Sequence, residues 1–310
     1  CLENAFVKAV LDDHAQLLSF SNRRTGTELA KPHDLWRMII AKDENLEVEI
    51  VAKDSTPVVS ASADAIEYRY QTLRDSEGHD HAIDLVIDGK LVDDELHWSC
   101  RIANRSNAIE VREWLFPVVN LSDAVEGMTL YSPNAGGEVI ERIRPWAQQA
   151  STVYKGMDNL YQRHLLRYPG SQAATNTWTF ANDREGLYLA SYDPSFQDTL
   201  LCSEIELREK LNFLFVKFPF LKPGAEWSAE GYLMAPINGT WHRAADKYRA
   251  WADTWLTQHH TPDSITNFQG WQRIIAKSQY GEIFYHFDDL PQIYADGAKA
   301  GIDTLLLFGW

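Results

Sequence analysis

The sequence is short of several things, and each shortage removes a class of function. Only 3 of its 310 residues are cysteine, at Cys1, Cys100 and Cys202. They are far apart and show neither CxxC nor Cys/His ligand spacing, so no metal site and no disulfide framework is indicated. A single Cys100–Cys202 bridge and two buried free thiols remain as alternatives. No apolar run approaches the roughly 18–20 residues that a membrane-spanning helix needs, so no membrane span is expected. Lys and Arg number 29 against 44 Asp and Glu, a formal net charge of −15, with no basic cluster to offset it. That balance argues against a nucleic-acid partner, because phosphate backbones bind positive surfaces. Nor is there a G-x-x-x-x-G-K-[ST], G-x-G-x-x-G, G-x-S-x-G or H-E-x-x-H motif, so kinase, dinucleotide, serine-hydrolase and zincin chemistry lose their main support. No cofactor is implied. No signal peptide is read in these residues, and localisation and oligomeric state stay open.

What the sequence has in excess is aromatic rings: 11 Trp, 13 Tyr and 13 Phe. Rings that stack and also donate hydrogen bonds fit sugar recognition, and they fit a large β core equally well. Mean hydropathy of −0.34 and 45% hydrophobic residues describe an ordinary globular chain.

The first 235 or so residues read as β. Phe6–Leu11 and Gln16–Phe20 alternate around a polar turn, and Asn22–Thr27 supplies the next turn with Gly26 suited to positive φ. Further strands are expected over 46–52, 66–73, 83–87, 95–103, 109–119, 204–218 and 226–234, and Ile87-Asp88-Gly89-Lys90 carries a short hairpin signal. Residues 176–192 form a second hairpin around Asn182–Gly186, and in 95–102 Leu96, Trp98, Cys100 and Ile102 share one face. More than a dozen short strands spaced by turns indicate a large antiparallel sandwich rather than alternating βαβ units.

The pattern then changes. Trp241, Ala244, Ala245, Tyr248, Trp251, Ala252 and Trp255 recur at helical spacing, with Thr240 as the expected N-cap, and the stripe reads as core packing. His259 and His260 open a linker. After it come a buried strand within 270–279, a helix over 290–300 with Asp288 and Asp289 at its amino end, and an apolar strand over 302–308. A strand–helix–strand unit cannot cover its own sheet, so these residues are expected to open a parallel α/β domain whose remainder lies beyond Trp310.

These residues carry a resemblance. The segments Leu2–Val7 and Ser21–Leu29, the hairpin Trp178–Tyr188, and the helix with Trp241, Ala245, Tyr248, Arg249 and Trp251 resemble the amino-terminal galactose mutarotase-like β-supersandwich of large bacterial glycoside hydrolases. Lys277–Glu282 and Leu305–Trp310 resemble the start of the (β/α)8 barrel that follows it. The architecture is similar to the α-galactosidase and endo-α-N-acetylgalactosaminidase clan, within a domain-of-unknown-function family. The resemblance implies a supersandwich over 1–238, a linker helix and linker over 239–264, and an incomplete (β/α)8 barrel over 265–310. It further implies a glycan or oligosaccharide substrate and two catalytic carboxylates beyond residue 310, so this chain alone is expected to be a non-catalytic part of a hydrolase of α-linked glycans. A glycan-binding scaffold module and an aldose epimerase-like sandwich are the alternatives.

Barrel enzymes gather ligands at the carboxyl ends of their strands. That places Lys277, Gln279, Tyr280 and Glu282 at the end of the first strand and Trp310 at the end of the second as candidate substrate-binding residues. Asp288 and Asp289 read as helix capping, Asp303 as structural, and His79-x-His81 as a solvated turn without a third ligand. Trp98, Trp114, Trp178 and Trp227 read as strand core.

Overall fold

The computed structural model describes residues 1–42, 46–149, 161–257 and 261–309, in two compact units, Cys1–Thr254 and Trp255–Trp310. Among the described residues no helix is long and apolar enough to cross a membrane.

The first unit is built from two antiparallel sheets. A nine-stranded sheet runs Glu138–Ile140, Thr129–Ser132, Thr177–Ala181, Glu185–Ser191, Glu226–Asn238, Glu95–Asn104, Ile83–Val92, Ala65–Tyr70 and Val58–Ala61. A twelve-stranded sheet holds Val119–Leu121, Lys210–Lys217, Glu110–Leu115, Arg37–Ala41 and Glu47–Val51 in adjacent positions, with Thr199–Glu206 and Tyr161–Tyr168 branching from Lys210–Lys217. The alternation expected for 95–103 is present: Leu96, Trp98, Cys100 and Ile102 are buried while their neighbours are not. Between the sheets the rings meet edge to face, Phe116 on Trp98 and Tyr232, and Phe213 on Trp178 and Phe180. Most of the aromatic excess is therefore core, where each ring removes a large apolar area from water. Trp98, Trp114 and Trp178 are among the largest fully buried side chains, whereas Trp227 is only partly buried. Cys100 and Cys202 are both buried and free, and burial pushes both thiols up to about 12.

Several expectations are corrected. Residues 87–90 form no hairpin: Ile83–Val92 is one strand, and the chain reverses at Asp93 and Asp94 to pair with Glu95–Asn104. Gly89 lies directly opposite Trp98, and a Cβ there would stand 2.3 Å from the indole. The glycine is required by a ring, not by a turn. Residues 204–218 are not one strand but the hairpin Thr199–Glu206 and Lys210–Lys217, reversing through Leu207 and Arg208 at positive φ. Arg37–Ala41 and Tyr161–Tyr168 are strands that periodicity did not single out. Thr240 does not cap the helix. The helix spans His242–Ala252 from Trp241, no side chain caps its first turn, and the Thr240 hydroxyl instead meets His242 Nδ1 at 3.0 Å. Ala244 and Ala252 are buried, and Trp251 stacks on Tyr192 with centroids 4.6 Å apart, which is the part of the stripe that packs as expected.

The second unit contains the expected parallel pair, Gln272–Ile275 with Leu305–Phe308, and the helix Leu290–Lys299 between them in sequence. Its strands are shorter than expected, and Ile275, Leu306 and Phe308 remain exposed.

The Gly89–Trp98 contact yields a direct test. Gly89→Ala favours a strand by intrinsic propensity, yet it overpacks against the indole, so unfolding in urea should show a loss of about 1–3 kcal/mol. A neutral or stabilising outcome would remove the steric role assigned to Gly89.

Candidate functional site

The sequence-predicted residues Lys277, Gln279, Tyr280 and Glu282 come together on one tight loop that leaves the carboxyl end of Gln272–Ile275. Lys277 bridges to Ile283, and the Ser278 amide donates to the Glu282 carbonyl at 2.8 Å. Ser278 organises the loop: its hydroxyl accepts from the amides of Tyr280 (3.2 Å) and Glu282 (3.1 Å). Gly281, at φ +92°, closes the turn by donating to the Ser278 carbonyl. The sequence reading passed over Ser278, although a serine two residues before an exposed ring and three before a glycine is a turn signature. All four predicted side chains are exposed, Tyr280 at 84%. Next to them Ala276, Lys277, Tyr285 and Phe287 line a recess of about 200 Å³. Such a loop can offer hydroxyls a cation, an amide, a carboxylate and a ring face. Trp310 lies outside the described residues, as do His259 and His260.

Asp289 stands at the N-cap of the helix Leu290–Lys299, but its side chain does not cap that helix as expected: its carboxylate accepts instead from the His286 amide at 2.8 Å, across the short turn Phe287–Asp289 that precedes the helix.

The strongest concentration of ionisable groups lies elsewhere, in the first unit, and the sequence reading missed it. It occupies the face of the twelve-stranded sheet opposite the aromatic core, where Cys202, Leu214 and Val216 form a separate apolar cluster. Glu204, fully buried, accepts from Arg37 at 2.6 Å, Arg163 Nε at 2.8 Å and Asn212 at 3.1 Å. Glu206 accepts from Asn212 and Lys210, both at 2.8 Å, and pairs with His33 Nε2 at 2.6 Å. Burial opposes ionisation of both acids, yet these cationic and amide partners hold them below the usual carboxylate range. Carboxylates so fully supplied with donors are held ionised and act as lattice, not as proton acceptors. Alternation would have placed Glu204 and Glu206 on one face, but Arg163, Arg37 and His33 come from strands 41, 167 and 173 residues away in sequence.

Glu113 behaves differently. It is buried on the same face with no hydrogen-bond partner for its Oε2. Burial first, and then Glu47 and Glu49, push its carboxyl up to about 7 against the pull of Arg163 and Arg37.

His79-x-His81 is not simply a solvated turn. His81 is buried and bonds the buried Asp75 carboxylate at 2.9 Å, while His79 is exposed. Asp75 also accepts from the amides of Glu77 and His79. Asp75, Glu77 and His79 bring their ligand atoms within 4.8 Å of one another. A cation already stands there, since the Lys42 ammonium is 3.2 Å from Asp75 and 4.0 Å from Glu77. The geometry is that of a pinned turn.

No family model matches the chain, nor does any curated protein sequence. Among solved structures, the chain superposes on the α-N-acetylgalactosaminidase NagBb from Bifidobacterium bifidum, a complex with GalNAc, with a TM-score of 0.64 at 10% identity, covering 99% of this chain and 51% of that one. A galactose mutarotase-like protein from Lactobacillus casei gives 0.46 at 14% identity over 76% of this chain and 98% of that one. The GH36 α-galactosidase AgaB from Geobacillus stearothermophilus gives 0.41 at 11% identity over 99% and 39%. The first superposition establishes a shared fold, and the chain spans about half the length of that enzyme.

Glu113 makes stability depend on pH. Its folded-state pKa near 7 lies above the ordinary 4.5, so between these values the folded chain binds the extra proton. Stability therefore falls as pH rises through this window. Glu113→Gln, which keeps the neutral shape, should be close to neutral at pH 5 and stabilising by up to about 3 kcal/mol at pH 8. Thermal melts of both proteins across pH 5–8 measure it, and a difference in melting temperature that does not grow with pH counts against the assignment.

Proposed function

We propose that this chain is the amino-terminal, non-catalytic part of a glycoside hydrolase acting on α-linked glycans, with the sandwich over 1–238, the helix and linker over 239–264, and the start of a (β/α)8 barrel over 265–310. The observation that carries this proposal is the superposition of 99% of the chain on 51% of an α-N-acetylgalactosaminidase. A second one supports it. Parallel strands are normally covered on both faces, and here Ile275, Leu306 and Phe308 are exposed on a parallel pair. That is the surface a barrel closes.

In this proposal the loop after Gln272–Ile275 forms part of the substrate rim. The Tyr280 ring stacks on a sugar face, and Lys277, Gln279 and Glu282 bond its hydroxyls. Trp310 joins them on its sequence position alone. Retaining hydrolysis needs two carboxylates about 5–5.5 Å apart across the glycosidic bond. Those are assigned to barrel strands downstream of residue 310, and Asp288 and Asp289, at the foot of a helix, are not substitutes for them.

Assaying p-nitrophenyl α-N-acetylgalactosaminide and α-galactoside with the natural full-length polypeptide and with residues 1–310 tests the proposal. Turnover is expected from the former alone, with Tyr280→Ala raising KM several-fold and changing kcat less. A full-length protein inert across a panel of aryl glycosides would sink it, as would turnover by residues 1–310 alone.

A further inference from the structure

We infer that the solvent face of the nine-stranded sheet is a second, non-catalytic binding groove for a neutral oligosaccharide. It crosses four strands, with Arg101 in its floor and the loop after Ser191 as its wall. This does not depend on hydrolysis by any part of the protein.

The floor follows from register. Arg69, Val86, Arg101 and Ser228 are cross-strand neighbours and form one row across Ala65–Tyr70, Ile83–Val92, Glu95–Asn104 and Glu226–Asn238. The row on one side contains Asp84 and Glu226, and the row on the other contains Glu67 and Asp88. The guanidinium donors of the central row are therefore flanked, two residues along the strands, by the carboxylate acceptors of the rows on either side. A sugar hydroxyl both donates and accepts, so a surface with donors beside acceptors suits neighbouring hydroxyls. A polyanion would meet carboxylates on both sides of the arginine row.

Two adjoining recesses of about 660 and 530 Å³ open on this face and share Arg101, Gln197 and Ser228. Each falls in the size range of small-molecule sites. Arg69 is tied to Glu67, and Arg105 to Asp84 and Glu226. Arg101 differs: it is exposed, and its side chain makes no ion pair or hydrogen bond among the described residues, its charge acting on Asp88 only through space. It lines both recesses, in the floor they share, and its five N–H donors are available to a ligand.

The wall is built rigidly. Asp193, itself buried, accepts from the buried Lys217 ammonium at 2.6 Å and from the Ser195 amide at 2.8 Å. Lys217 also donates to Thr199, whose hydroxyl donates to the Gln197 carbonyl. Gln197 is thereby fixed, and its side-chain oxygen accepts from Trp227 Nε1 at 2.6 Å. The half-buried indole adds apolar surface beside the polar row, the combination saccharide sites use. A wall locked by a buried ion pair loses little entropy when a ligand binds.

The test is isothermal titration of residues 1–310 with maltotetraose, cellotetraose, chitotetraose and stachyose, with a heparin tetrasaccharide as the polyanion. Saturable binding of at least one neutral tetrasaccharide is expected, weakened about tenfold by Arg101→Ala, the scale of one lost charged donor. Gln197→Ala should weaken it as well without unfolding the chain. The inference is overturned if no neutral tetrasaccharide binds, if only heparin binds, or if Arg101→Ala leaves affinity unchanged. Binding lost in Tyr280→Ala but kept in Arg101→Ala would assign the saccharide to the loop of the second unit and overturn the groove, while leaving the hydrolase proposal standing.

Discussion

Glu204 sits in the branch of the twelve-stranded sheet formed by Thr199–Glu206 and Tyr161–Tyr168, on the face turned away from the aromatic core, and no part of its side chain reaches water. An unpaired carboxylate in that position would cost several kcal/mol. It is tolerated because Arg37, Arg163 and Asn212 converge on it from three other strands. The same requirement works in reverse, since each arginine is buried and must find its carboxylate. The ion lattice therefore ties together strands that are not all hydrogen-bonded neighbours. In the fold, Arg37–Ala41 and Tyr161–Tyr168 each bring a buried arginine to Glu204 on Thr199–Glu206. Apolar packing tolerates substitutions of similar volume, whereas this lattice does not tolerate a slipped register.

A second buried pair, Lys217 with Asp193, acts in the same way toward the other sheet. Lys217 ends one strand of the twelve-stranded sheet, and Asp193 begins the loop that overhangs the nine-stranded one. One ammonium thus links the packing of the sandwich to the shape of a surface groove. The loop's position is inherited from the core instead of being set by its own exposed residues, which is how a connection without regular structure can present side chains in fixed places.

The second unit shows the opposite economy. Its predicted residues are gathered by local means: a serine hydroxyl that accepts two amides, a glycine at positive φ, and a parallel strand that delivers the chain to the loop. Nothing in that loop requires a distant partner, and this is why Lys277, Gln279, Tyr280 and Glu282 could be singled out by position along the chain. The ionic lattice and the groove could not. His33 and Glu206 are 173 residues apart, and the groove's floor exists only once four strands are in register.

Alternation and turn residues were enough to establish the antiparallel sandwich, the face of Glu95–Asn104 that turns inward, the hairpin around Asn182–Gly186 and the parallel pair near the end. These depend on interactions between residues close in sequence, where side-chain period and backbone preference act directly. The same signals misjudged Gly89, read as a turn because glycine's backbone freedom is visible in a sequence and Trp98's need for space is not. They also ran Thr199–Glu206 and Lys210–Lys217 together, because Leu207 and Arg208 enter positive φ without a glycine to mark the turn. Which strands became neighbours, which charges were buried together and where the Arg101 side chain was left exposed were decided only in three dimensions. The reason is physical: the desolvation of a buried charge is repaid only by a partner within hydrogen-bond reach, and in this protein folding alone brings those partners together.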